Sequence, residues 1–214
     1  MILYFLRHAN AGQRWANPVR DRKRPLDPEG MEQCRAMGKL LAALDIHVDH
    51  ILTSPLKRAT QTASMVANEL AFEQRIEKSE VLAPGADFKS FVEMLYGYDQ
   101  AESIMVVGHN PNMSRFVSLL ITGGSSEKAL EMKKGSVARV EMTFKRSVLH
   151  WLVSPRLTIA ALEAASGEYR QSTASVIEMK KAAKEITKKA AGEKMPDKIY
   201  PSVQTSSRPK SSKK

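Results

Sequence analysis

The sequence predicts an α/β protein built as a three-layer α/β/α sandwich around a mostly parallel sheet. Two observations carry that expectation. Short apolar runs without polar alternation recur along the chain, as in strands covered on both faces. Segments with apolar residues at helical spacing separate them. At 214 residues, the chain suits one well-buried domain with an appendage better than two full domains.

Ile2–Leu6 reads as the first buried strand and ends in Arg7-His8. Ala9 to Asp27, with two prolines and the bases Arg14, Arg20, Arg22, Lys23 and Arg24, reads as an extended loop. Pro28-Glu29-Gly30 opens a helix to about Leu44, with Met31, Cys34, Met37, Leu40, Leu41 and Leu44 on one stripe. Asp49–Thr53 is a second strand. Ser54-Pro55 has the pattern of an N-cap and first helical residue, opening a helix that carries Arg58, Ala59, Thr62, Met65, Val66 and Leu70. Residues 76–86 pass from strand to loop at Pro84-Gly85, and 87–97 form a short helix. Ser103–Val107 is a third strand, stopped by Gly108-His109-Asn110-Pro111 and followed by a helix over about 112–121. Residues 136–144 and 148–153 read as a β-hairpin.

The net charge is +10, which suggests a polyanionic or phosphorylated partner and leaves the fold open. Residues 157–214 contribute +6 of it, with twelve bases and six acids. The charge therefore does not make the main body a nucleic-acid-binding domain. We expect residues 1–155 to form the α/β domain, 156–194 a basic, partly helical extension with Val176, Met179, Ala183, Ile186 and Ala190 on one stripe, and 195–214 a disordered Lys/Ser/Pro tail. The tail can contact an acidic partner; no specific nucleic-acid recognition is expected, because no aromatic residue for base stacking is interleaved with the bases of residues 173–191. One cysteine, Cys34, excludes an internal disulfide and a cysteine-based metal cluster and reads as structural. No apolar run is long enough for a signal peptide or a membrane span, so a cytoplasmic location is expected.

His8 and His109 each follow the C-terminal end of a buried strand, the edge where open α/β sheets bind ligands. Arg7 precedes the first, a helix start follows the second, and Arg58 lies one turn into the helix after the remaining strand. The combination suits phosphoryl transfer. The migrating group spreads negative charge over three oxygens, which fixed donors can meet, and arginine does so in a bidentate fork. One imidazole can attack phosphorus while neighbouring arginines disfavour its protonated form. Those arginines also oppose a metal cation between the histidines, so neither a metal nor another cofactor is expected. His47, His50 and His150 read as surface histidines.

The local motifs resemble those of the histidine phosphatase superfamily, which includes the phosphoglycerate mutases. Ile2–Ala9 is similar to its Arg-His-Gly strand end, with Ala9 in place of glycine; Ser54-Pro55-Leu56-Lys57-Arg58-Ala59-Thr60-Gln61-Thr62 to its Ser-Pro-x-x-Arg-Ala-x-x-Thr segment; and Gly108-His109-Asn110-Pro111 to its second histidine motif. With Arg24-Pro25-Leu26 and the compact length, the resemblance is nearest to the SixA-type phosphohistidine phosphatases. It implies a phosphoglycerate mutase-like fold, His8 as the nucleophile, and Arg7, Arg58, His109 and the Asn110 backbone N–H as the phosphate pocket. It also suggests a general acid between the motifs, for which Glu80 is the first candidate and Asp87 the second. Only 50 residues lie between Arg58 and His109, which leaves no room for a large cap. The expected substrate is therefore a phosphohistidine-bearing protein. A small-metabolite phosphomonoesterase and a noncatalytic phosphate-binding adaptor remain the alternatives.

Overall fold

The apolar runs become the middle of one sheet. In the computed structural model, which describes residues 1–143 and 145–165, the strands are β1 (Ile2–Arg7), β2 (His50–Thr53), β3 (Glu77–Lys78), β4 (Ser103–Gly108), β5 (Val137–Met142) and β6 (Ser147–Val153). Their order across the sheet is β3-β2-β4-β1-β5-β6. The first four in that order run parallel, and β5 and β6 are antiparallel additions at one side.

Side chains of successive strand residues point to opposite faces, and both faces are covered here. Tyr4, Leu6, Ile51, Met105 and Val107 join one buried cluster with Cys34, Met37 and Leu41 of α2 (Pro28–Ala43) and Ala59, Ala63 and Val66 of α3 (Lys57–Glu69). Leu3, Phe5, Leu52, Ile104 and Val106 join the other with Phe91 of α4 (Phe88–Tyr96) and Phe116 and Val117 of α5 (Asn112–Ile121). The three-layer sandwich is therefore the fold. Cys34 is buried, and burial pushes its thiol up to about 11, which suits a structural residue.

Local signals set the helix starts. Asp27 accepts from Gly30 N–H ahead of Pro28 at the head of α2, and Asp87 accepts from Ser90 N–H at the head of α4. Gly30 is required by a close approach: a β-carbon there would lie 1.9 Å from the carbonyl oxygen of Asn10.

Two sequence expectations are corrected. The stretch from Ala9 to Asp27 is not loop throughout, because Pro18–Arg22 form a one-turn helix, α1, capped by the Asn17 side chain on Arg20 N–H. Ser54-Pro55 do not cap α3 either: that helix begins at Lys57, its N-cap position is Leu56, and no side chain caps it. A chain turning away from the strand end consumes two more residues, and Ser54 is used elsewhere. In the 76–86 passage, β3 and a 3-10 turn at Glu80–Leu82 precede Pro84-Gly85. Residues 155–165 are helical. The expected basic extension beyond them and the Lys/Ser/Pro tail lie outside the described residues.

Candidate active site

Parallel pairing brings the two histidines together. Arg7 stands beside Gly108 in the register of β1 and β4, so the next residues, His8 and His109, leave the sheet side by side. Their ring centroids lie 4.9 Å apart at 54°. Backbone bonds fix the exit of β1 on both sides: His8 N–H donates to the Gly108 carbonyl at 2.9 Å, and Gly135 N–H donates to the Arg7 and His8 carbonyls at 3.1 and 3.2 Å. The next turn is held by Thr62 Oγ1, which accepts from Ala9 N–H at 3.1 Å. The threonine of the second motif thus fastens the loop of the first.

Arg7, His8, Arg58, His109 and Asn110 all line one open cavity of about 600 Å³. His8 Nδ1 lies 2.8 Å from the Ala9 carbonyl oxygen. A carbonyl only accepts, so Nδ1 carries the proton and Nε2 keeps its lone pair. Burial lowers the His8 pKa to about 3; the Ala9 carbonyl opposes the shift, and the charges of Arg58, Arg7 and Arg24 add to it. The ring is neutral at physiological pH. His109 is lowered to about 2 by burial, then by His8, Arg58, Arg7 and Arg24. Its Nε2 lies 2.8 Å from Ser54 Oγ, which also accepts from Leu56 N–H. With the Ser54 hydroxyl donating to Nε2, His109 presents N–H at Nδ1, the ring atom left without a partner.

The arginines are anchored but not exhausted. Arg7 Nη1 donates to the Met132 carbonyl at 2.7 Å, a carbonyl that also receives Asn110 Nδ2 at 3.0 Å. Arg58 Nη1 donates to the Asp21 carbonyl at 3.0 Å and lies 3.3 Å from Asp21 Oδ2. Burial lowers the pKa of each guanidinium; Glu131 opposes this for Arg7, while for Arg58 the charge of Arg24 adds to it and Asp21 opposes it. Both stay cationic. Among the described residues, buried polar side-chain atoms without a partner are Arg7 Nε, Arg58 Nε, His109 Nδ1 and Arg115 Nε. Three of them belong to this cavity wall, the pattern of donors left for a ligand.

Sequence reasoning missed three contributors. Ser54 was obscured by its helix-start pattern. Arg24 looked like one loop base among five, yet it is buried in the cavity wall, with Nε 2.8 Å from Asp21 Oδ1 and Nη1 2.5 Å from the Ala11 carbonyl. Asp21 holds both Arg24 and Arg58. The Arg-Pro-Leu at 24–26 was the available signal for Arg24; nothing local marks Asp21.

The expected acids are placed apart. Glu80 is 71% exposed, pairs with Arg22 at 3.1 Å and does not line the cavity. Asp87 is occupied as the N-cap of α4, with Ser90 N–H and Oγ on its two oxygens. His47, His50 and His150 lie beside Asp45, Glu77 and Glu141 respectively, away from the cavity.

The sequence profile of the histidine phosphatase superfamily (branch 1) matches residues 3–83. An uncharacterized protein of Picosynechococcus is 32% identical over 140 residues, 64% of this chain and 82% of that one. The chain belongs to the histidine phosphatase superfamily. Within it, the phosphohistidine phosphatase SixA of Escherichia coli is 27% identical over 161 residues, 72% of this chain and 94% of that one. A solved structure of the protein histidine phosphatase SixA complexed with tungstate superposes with a TM-score of 0.65 at 24% identity, over 72% of this chain and 97% of that one. The α-ribazole phosphatase of Shigella flexneri superposes at 0.61 with 19% identity, over 72% and 97%. These likenesses show the superfamily fold. Among the described residues, no helix is long and apolar enough to cross a membrane.

Proposed function

We propose that the protein is a metal-independent phosphohistidine phosphatase that works through a phosphorylated His8. The observation that carries the substrate reading is the state of the cavity's carboxylates. Among the described residues Asp21 is the one carboxylate on its wall, and both its oxygens are committed to Arg24 and Arg58. An alkoxide leaving group needs a proton donor at the transition state, whereas an imidazole protonated on its other nitrogen leaves as a neutral base.

In the first step the Nε2 lone pair of His8 attacks phosphorus. A bond from phosphorus to Nε2 forms, and the bond to the substrate imidazole breaks, its electron pair returning to the departing nitrogen. Arg7, Arg58, His109 and the Asn110 backbone N–H hold the equatorial oxygens. The Ala9 carbonyl keeps the proton on Nδ1 of the phosphorylated ring, so His8 is in turn a neutral leaving group. Water then attacks phosphorus, the bond to Nε2 breaks, and inorganic phosphate departs with the water's oxygen while its proton passes to phosphate or solvent. Charge complementarity to phosphate is supplied by the arginines, so chelators are expected to leave the rate unchanged. The open cavity and the absence of a large cap insertion suit a phosphorylated side chain on a protein.

Small phosphomonoesters are the second reading. Glu80 pairs with Arg22, which lines the cavity, so its carboxyl stands one ion pair away from the lining. One experiment decides: phosphate release from a phosphohistidine protein, an aryl phosphate and an alkyl phosphate is measured with chelator present, for the unmodified protein, His8→Ala and Glu80→Gln. Fastest release from the phosphohistidine protein, a loss of about 1,000-fold or more in His8→Ala and little change in Glu80→Gln are expected. Faster turnover of the alkyl phosphate with loss in Glu80→Gln would establish the second reading, and activity surviving His8→Ala would remove the nucleophile.

A further inference from the structure

Residues 12–24, which include α1, form one wall of the cavity and have an unusual composition for a surface wall. They carry five bases and one acid, and that acid, Asp21, is spent internally on Arg24 and Arg58. Arg22 is paired with Glu80. Among the described residues no carboxylate pairs with Arg14, Arg20 or Lys23, and all three are exposed. Two large apolar side chains share this wall: Val19 is 70% exposed and Trp15 44%. Arg14 and Val19 themselves line the cavity, and Lys134 adds a further cation to its lining, its Nζ held by Asn10 Oδ1, an uncharged acceptor.

We infer that this wall is a docking surface for the acidic face of the protein that carries the phosphorylated residue. The inference rests on the phosphoprotein reading above and names how such a substrate is chosen. Phosphate itself is met by the arginines and histidines at the cavity floor. The unpaired cations of residues 12–24 raise the local concentration of an anionic partner and speed its encounter. Val19 and Trp15 supply the apolar contact that a purely electrostatic rim lacks; exposed aromatic and aliphatic anchors ringed by charge are the usual make-up of a transient interface. Helix α1 is tied down through Asp21, so the surface is preformed.

The test uses two phosphohistidine peptides of equal length, one flanked by Asp and Leu and one by Lys and Leu, with an aryl phosphate as the monitor of the cavity floor. The unmodified protein is compared with the Arg20→Gln/Lys23→Gln double variant and with Trp15→Ser, exposed positions that do not line the cavity. The unmodified protein should prefer the acidic peptide at least tenfold in kcat/KM at low salt, with the preference shrinking as salt rises. The double variant should lose most of that preference, Trp15→Ser should weaken both peptides, and aryl phosphate hydrolysis should stay within about twofold throughout. Preference for the acidic peptide that survives undiminished in the double variant overturns the docking surface while leaving the phosphatase reading intact. Aryl phosphate hydrolysis without turnover of either peptide overturns the phosphohistidine reading and this surface with it.

Discussion

Oδ2 of Asp21 lies 3.3 Å from Nη1 of Arg58, while its Oδ1 holds Nε of Arg24 at 2.8 Å. Both guanidiniums line the cavity, so one buried carboxylate on a one-turn helix sets the orientation of two cations of the cavity wall. Burial alone would raise the Asp21 carboxyl; the Trp15 N–H and the Arg24 and Arg58 guanidiniums outweigh it and hold it below its usual value.

Asp21→Asn should therefore weaken both fold and site. Removing one partner leaves two buried cations uncompensated, a loss of about 2 kcal/mol in denaturant unfolding. Inhibition by inorganic phosphate should weaken and KM should rise, since Arg58 no longer has a fixed orientation. Unchanged KM and phosphate inhibition would show that Arg58 is positioned by its other contacts.

Acid should destabilise the protein earlier than its carboxylates alone require. His8 and His109 are lowered to about 3 and about 2 from 6.5, so below pH 6.5 the unfolded chain takes up protons that the folded one refuses. Stability then falls as pH is lowered from about 6.5 toward 3. Asp21 adds to this further down: its stabilisation is present above the ordinary carboxyl value of 3.8 and is lost as pH falls through its lower folded value. Imidazole NMR signals of His8 and His109 should not titrate between pH 8 and 5. Titration of either near 6.5 would show a solvated ring.

Ser54→Ala should cost about tenfold in kcat, the equivalent of one hydrogen bond, because Nε2 of His109 loses the hydroxyl that fixes its ring. Circular dichroism and the unfolding midpoint should change little. A rate equal to that of the unmodified protein would mean that His109 is oriented by its backbone alone.

Gly30→Ala should lower stability by roughly 1–3 kcal/mol, as overfilling a closed contact does. The new β-carbon would overlap the Asn10 carbonyl, and moving Asn10 displaces Ala9 and with it the acceptor of the His8 proton. Activity should fall along with the unfolding midpoint. Full activity would require that α2 shift instead.

The strands and the two histidine positions were legible because they depend on local sequence: Leu3–Leu6 and Ile104–Val107 are apolar on both faces, and parallel register does the rest. What sequence could not provide came from contacts distant along the chain. Asp21 and Arg58 are 37 residues apart, and Ser54 and His109 are 55 apart. Helix α1 escaped notice because a single turn among bases and prolines has no periodicity to display, and it is secured by Asn17 and Asp21. Glu80 was chosen for its place between motifs, yet its side chain points to Arg22.

The central place of β1 also sets the order in which the protein acquires its chemistry. The strand that ends in His8 precedes both its partners along the chain: it pairs with β4 and β5 at residues 103–108 and 137–142. Such long-range pairing waits for its partners. His8 is therefore synthesised well before β4 and β5 can join β1, and the cavity that it lines takes shape only once those strands have paired.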